Sequence, residues 1–156
     1  MTRFSYFLLY LFLYSAVIID IILKQYALAY PPYPTIHIFS CLYFTYTLNQ
    51  GISWGMLNAI SPALLTTLII CMTLILSVIA VSHKSSTVTI GLTTVVYGSI
   101  SNIIDRVLYG GVIDYLELVI PHIEFPIFNI ADILIVGGWL YTTTYFLTKE
   151  KHNDNY

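Results

Sequence analysis

The chain has 156 residues, 58% hydrophobic and only 9% charged, with a formal net charge of −2. A soluble domain usually carries about 25% charged residues, so a fold wetted on all sides is excluded. With only six Lys and Arg residues, nothing supports nucleic-acid binding, which rests on clustered basic side chains. One domain is the expectation at this length.

Four apolar runs follow in chain order, each near the roughly 20 residues that a helix needs to cross a bilayer. The first runs from about Phe4 to Leu23. Arg3 before it and Ala27-Leu28-Ala29 after it imitate a cleavable signal peptide. The apolar stretch is longer than the roughly 7–15 residues of such a core, however, and Asp20 and Lys24 intervene, so a retained span is expected. A first outer segment covers about residues 25–60 and opens on the breaker Pro31-Pro32-Tyr33-Pro34. Within it Ile36, Ile38, Leu42, Phe44, Tyr46 and Leu48 stand on alternate positions, interrupted only by Ser40. That period of two predicts a strand or hairpin lying on the membrane surface, ended by the turn signal Asn49-Gln50-Gly51. The second span, about 62–81, opens on Ser61-Pro62, an N-cap with proline in the first turn. The third covers about 88–108. A shorter outer segment, about 109–126, carries Gly110-Gly111 as a turn. The fourth span is about 127–147, and the polar tail 149–156 is expected to fray.

Positive charge orients these spans. Arg3, then His83 and Lys84, then Lys149, Lys151 and His152 fall on one side of four crossings, which the positive-inside rule makes cytoplasmic. Both termini are then cytoplasmic. Lys24 and Arg106 are the exceptions, and each has an aspartate within four residues as a partner.

Ionisable residues beside a span are costly and suggest function. Asp20 and Lys24 share a helix face at i, i+4, as an ion pair or as a holder of a head group or substrate. Asn102, Asp105 and Arg106 share a face of the third span. Arg106 keeps its proton at working pH, which favours binding or support over catalysis. Asp114 and Asp132 have no Lys, Arg or His within four residues, and Asn129 shares the Asp132 face. Composition leaves two readings open for these acids: pairing with Arg106, or function. Topology lets them meet at one depth near the outer face, where two adjacent carboxylates would share a proton and activate water. No metal is expected, because the topology puts His37 and His122 on one side and His83 and His152 on the other. Cys41 and Cys71 lie on different segments and suggest no disulfide framework.

These residues resemble the lipoprotein signal peptidase family, the type II signal peptidases. Asp20-Ile-Ile-Leu-Lys24 is similar to the family's first motif, and Asn49-Gln-Gly51 with Trp54-Gly55 to its second. Gly98-Ser-Ile-Ser-Asn102-Ile-Ile-Asp105-Arg106, continuing to Gly111-Val-Ile-Asp114, resembles the third, and Phe128-Asn129-Ile-Ala-Asp132 the fourth. Leu23, Ser53, Trp54, Ser99 and Ser101 depart from the family's usual residues, and are expected to alter packing and pocket shape rather than chemistry. The resemblance implies an all-α membrane protein of four transmembrane helices, with a small extracytoplasmic β-cradle and a short surface helix. It implies an aspartic endopeptidase of the bacterial cytoplasmic membrane, without cofactor, that cuts diacylglyceryl-modified prolipoproteins before the lipidated cysteine. Asp114 and Asp132 match the catalytic dyad. Asn49, Gly51, Asn102, Asp105, Arg106 and Asn129 match pocket and support residues, and Asp20 with Lys24 the supporting pair. A prolipoprotein substrate, membrane phospholipid, a globomycin-type inhibitor and a monomeric state are implied likewise.

Overall fold

The computed structural model describes residues 2–29, 35–51 and 61–153. The breaker at 31–34, Ser53, Trp54, Gly55 and the end of the tail at 154–156 lie outside the described residues. Four long helices carry the apolar runs: α1 (Arg3–Ala29), α2 (Pro62–Ser82), α3 (Ser86–Tyr109) and α4 (Ile130–Asn153). All four are long and apolar enough to cross a membrane. Their outward faces are lined with large apolar side chains such as Phe12, Leu74, Val78 and Leu147, which only a hydrocarbon solvent accommodates over so many residues. This is a multi-pass membrane protein.

Local chemistry explains where the helices start and stop. Ser61 caps α2 by accepting the Leu64 amide, with Pro62 in the first turn, as the sequence predicts. Gly110 ends α3 in the left-handed conformation, with φ of 73°, where a side chain would be strained. α1 runs six residues past the expected end at Leu23, because Lys24 and Ala27 are buried in the protein rather than held in water. α4 begins at Ile130, three residues later than the apolar run, because Phe128 bridges to Leu116 and Asn129 serves as the cap.

The helix ends at Ala29, Pro62, Tyr109 and Ile130 are joined by a four-stranded antiparallel sheet in the order β1-β2-β3-β4. The expected hairpin is β1 (Ile36–Phe39) and β2 (Leu42–Asn49), turning at Ser40, whose φ is 48°. The shorter outer segment supplies more than a turn: β3 (Val112–Ile120) pairs along β2, and β4 (Ile123–Glu124) folds back on it. Thr47 of β2 stands opposite Asp114 of β3. Among the described residues no short helix stands outside the four long ones.

α3 is the central helix. Its buried residues include Val88, Leu92, Val95, Ser101, Asn102 and Asp105, a stripe at helical spacing. Two glycine contacts bring it against α4. A Cβ on Gly98 would lie 2.5 Å from the Ala131 carbonyl, and one on Gly138 would lie 2.5 Å from the Gly91 carbonyl. Close approach of two helix backbones requires such small residues. One turn beyond Gly98 stands Asn102, and next to Ala131 stands Asp132, so this contact carries the two side chains into reach. At the sheet end, Ala27, Phe44, Ile113 and Tyr115 form a cluster that seats the sheet on α1.

Candidate active site

Asp114 and Asp132 reach one site from different elements. β3 alternates its side chains, sending Ile113 and Tyr115 into the cluster with α1 and Asp114 to the opposite face. Asp132 sits in the first turn of α4. Both acids line a cavity of about 650 Å³, together with Asn49, Asn102 and Arg106. Below the acids the lining is apolar, with Ile69, Ile133, Val136 and Leu140, and Ser99 as a hydroxyl among them.

Amides link the two carboxyl groups. Asn129 donates Nδ2 to Asp114 Oδ1 at 2.7 Å and to Asn102 Oδ1 at 3.2 Å, and Asn102 donates Nδ2 to Asp132 Oδ1 at 2.8 Å. Asn49 donates to Asp114 Oδ2 at 3.0 Å. Asn129 and Asp132 also form a reciprocal cap: Asn129 Oδ1 accepts the Asp132 amide at 2.8 Å, and Asp132 Oδ2 accepts the Asn129 amide at 3.2 Å. Among the described residues every donor to the two acids is therefore a neutral amide. Among the described residues neither acid makes an ion pair. Burial, and next the neighbouring Asp132 carboxylate, push the Asp114 carboxyl up to about 7.

The expected pairing of Arg106 is corrected. It meets neither Asp114 nor Asp132 nor Asp105, but donates to the carbonyls of Gln50 at 3.4 Å and Gly51 at 2.5 Å. Asp105 is next in sequence to Arg106, and adjacent helix residues point apart. Asp105 instead pairs with Lys24 at 2.8 Å and accepts the Ile113 amide at 3.2 Å. Arg106 thus fastens the turn after β2, where Asn49 Oδ1 accepts the Gly51 amide at 3.1 Å. The Asp20–Lys24 pair forms as spacing predicts, at 2.8 Å.

Two participants were not foreseen. The Tyr115 hydroxyl donates to Asp20 Oδ1 at 2.7 Å and accepts the Ile130 amide at 3.3 Å, tying α1 to the start of α4. Its signal in the sequence was only its place beside Asp114 on a strand that was not predicted. Ser101, expected to affect packing alone, donates to Asp20 Oδ2 at 2.6 Å and accepts from Lys24 at 3.3 Å. Among the described residues no group of three or more His, Cys, Asp or Glu side chains is arranged to hold a metal.

The signal peptidase II family model matches residues 12–148. The chain belongs to this family. It is 34% identical over 134 residues to the lipoprotein signal peptidase of Wigglesworthia glossinidia brevipalpis, covering 83% of this chain and 88% of that protein. The one from Latilactobacillus sakei is 33% identical over 148 residues, covering 92% and 97%. Among solved structures, a bacterial membrane enzyme determined by the in meso method at 2.3 Å superposes with a TM-score of 0.75 at 25% identity, covering 92% of this chain and 90% of that one. Membership of the signal peptidase II family makes the chain a membrane protease of lipoprotein processing. The features that carried the resemblance, from Asp20 to Asp132, fall within the matched residues.

Proposed function

We propose that Asp114 and Asp132 form the catalytic dyad of a type II signal peptidase, cutting the peptide bond before the lipidated cysteine of a prolipoprotein. The observation that carries this is a cavity lined by two buried acids that are joined through Asn129 and Asn102 and, among the described residues, have only neutral amides for donors. Burial and the neighbouring Asp132 carboxylate hold the Asp114 carboxyl up to about 7, so near neutral pH the pair can stand with a proton on Asp114 and a negative charge on Asp132. Asp132 takes a proton from water as the water oxygen attacks the scissile carbonyl carbon. Asp114 gives its proton to the carbonyl oxygen. The tetrahedral adduct then collapses: the C–N bond breaks, the amine nitrogen takes the proton from Asp132, and the adduct hydroxyl returns its proton to Asp114. Both acids end as they began.

The positive-inside reading places the sheet end outside the bacterial cytoplasmic membrane and both termini in the cytoplasm. The scissile bond then lies at head-group depth, with the apolar floor below it facing the hydrocarbon, where a lipid-modified substrate, membrane phospholipid or a globomycin-type cyclic peptide would compete for the same space. The test is cleavage of a diacylglyceryl-modified precursor by Asp114→Asn and Asp132→Asn, made separately. Each is expected to lose at least about 1000-fold in kcat, as removal of a general acid or base does. Normal turnover in either sinks the dyad.

A further inference from the structure

The charged cluster behind the two acids does more than balance itself. Lys24 is 1% exposed. Its Nζ lies 2.8 Å from Asp20 Oδ2, 2.8 Å from Asp105 Oδ2, 2.9 Å from Asn102 Oδ1 and 3.3 Å from Ser101 Oγ. An ammonium has three protons and no lone pair, so every group facing it must accept. That requirement decides which end of the Asn102 amide it meets. Asn102 Oδ1 accepts from Lys24 and from Asn129 Nδ2, which leaves Asn102 Nδ2 to donate to Asp132 Oδ1 at 2.8 Å. Turned over, the amide would set its NH₂ against an ammonium and another NH₂, and its oxygen against a carboxylate. Three hydrogen bonds would be lost together in a buried site, where unpaired groups are most costly.

The position of Lys24 is itself over-determined. Asp20 Oδ2 also accepts from Ser101, and Asp20 Oδ1 accepts from Tyr115 and from the Ile130 amide at 3.0 Å. Asp105 is held by the Ile113 amide. The chain therefore spends three buried charges and a serine on one amide that touches a dyad acid.

Resting on the dyad reading above, we propose that Lys24 is a positioning residue of the reaction: its ammonium locks the Asn102 amide as a donor to Asp132 and so holds that acid ready to accept the proton of water. The charged and titratable groups that act on Asp132 are Asp20 and Lys24 on α1, Arg106 on α3, and Asp114 and Tyr115 on β3, with Asp105 on α3 one step removed as the second partner of Lys24. A counter-ion role for Lys24 requires only that charge stay balanced. The lock requires the donor itself.

The two are separated by a charge-matched variant, Lys24→Met with Asp105→Asn. Two carboxylates (Asp20, Asp105) and one ammonium leave −1 in the native cluster; the single carboxylate left in the variant also gives −1. The variant is expected to melt near the native protein in detergent, yet to lose about 10- to 100-fold in kcat, the worth of one hydrogen bond to a charged group, with KM changed less than about threefold. Its kcat–pH profile is expected to show the acidic limb displaced toward neutrality by about one pH unit. Asn102→Leu, which leaves Lys24 with both carboxylates, is expected to give the same loss and the same displaced limb, and combining the changes is expected to add nothing. Native kcat and pH profile in the charge-matched variant overturn the proposal, as do losses that multiply on combination or a charge-matched chain that does not fold. Asp114→Asn and Asp132→Asn, run in the same assay, keep the two levels apart. Turnover retained there removes the dyad reading; turnover lost there beside a native charge-matched variant removes only the role of Lys24.

Discussion

Asp114→Asn is expected to stabilise the protein as it inactivates it, and only at high pH. Asp114 is 2% exposed. Burial first, and the Asp132 carboxylate second, raise its carboxyl from 3.8 to about 7, against the lowering effect of Asn49, Lys24 and Asn129. A carboxyl raised on folding binds a proton that the unfolded chain releases, so stability is full below about pH 4 and is lost as pH rises through about 7. The gap from 3.8 to about 7 corresponds to a penalty of about 4 kcal/mol above pH 7. Asparagine removes that titration. It also presents an NH₂ where one of the two donors, Asn49 Nδ2 or Asn129 Nδ2, needs an acceptor, at a cost of about 1–2 kcal/mol. The net gain at pH 8 is therefore about 2–3 kcal/mol. At pH 4 the native residue is itself protonated and carries no such penalty, so only the misfit of the NH₂ remains and the variant should be about 1–2 kcal/mol less stable there. Thermal unfolding of detergent-solubilised protein at pH 4 and pH 8, followed by intrinsic fluorescence, measures both. An offset equal at the two pH values, or a loss of stability at pH 8, would refute the reasoning.

Two further outcomes follow from the same geometry. Asn129→Ala removes the cap of α4 together with the bridge to Asp114 and Asn102; a loss of about 1–2 kcal/mol in unfolding free energy should accompany a kcat loss far larger than that lower stability explains, read in the precursor assay at a temperature where the variant is folded. Gly98→Val drives a side chain into the Ala131 carbonyl. It should destabilise by about 1–3 kcal/mol, whereas Gly137→Ala, with nothing within 4 Å of its added Cβ, should stay within about 0.5 kcal/mol; comparable melting of the two would contradict the close approach of α3 and α4.

The spans were legible because hydrocarbon imposes a length and a composition that few other structures share. The hairpin of β1 and β2 was legible because apolar β-branched and aromatic residues stand on alternate positions along it, a period of two that only a strand writes. β3 was not, for a physical reason. Ile113 and Tyr115 are buried toward α1, but Asp114 between them is buried too, toward the cavity. A strand enclosed on both faces shows no alternation, and Val112-Ile113-Asp114-Tyr115-Leu116 reads as an apolar stretch with one stray acid. The acid was the informative residue, and it drew notice through its lack of a nearby base rather than through its strand.

Which partner each charge would choose was the part that spacing could not supply. The i, i+4 rule found Asp20–Lys24, since both lie on one helix and the pair is local. It could not see that Lys24 takes a second carboxylate from α3, because that contact depends on how closely α1 and α3 pack. Proximity in sequence misled for Arg106, whose neighbour Asp105 turns to Lys24 of α1 while Arg106 itself reaches the carbonyls of Gln50 and Gly51. The glycines and the serine settle the matter in three dimensions: Gly98 lets α4 approach, and Ser101 fills the space one turn before Asp105 with a hydroxyl that bonds Asp20 and meets Lys24. A residue at a packing position thus becomes part of the electrostatics when the position is dry. A hydroxyl enclosed between a carboxylate and an ammonium cannot remain a spacer, because its own unpaired proton or lone pair would cost more there than anywhere on the surface.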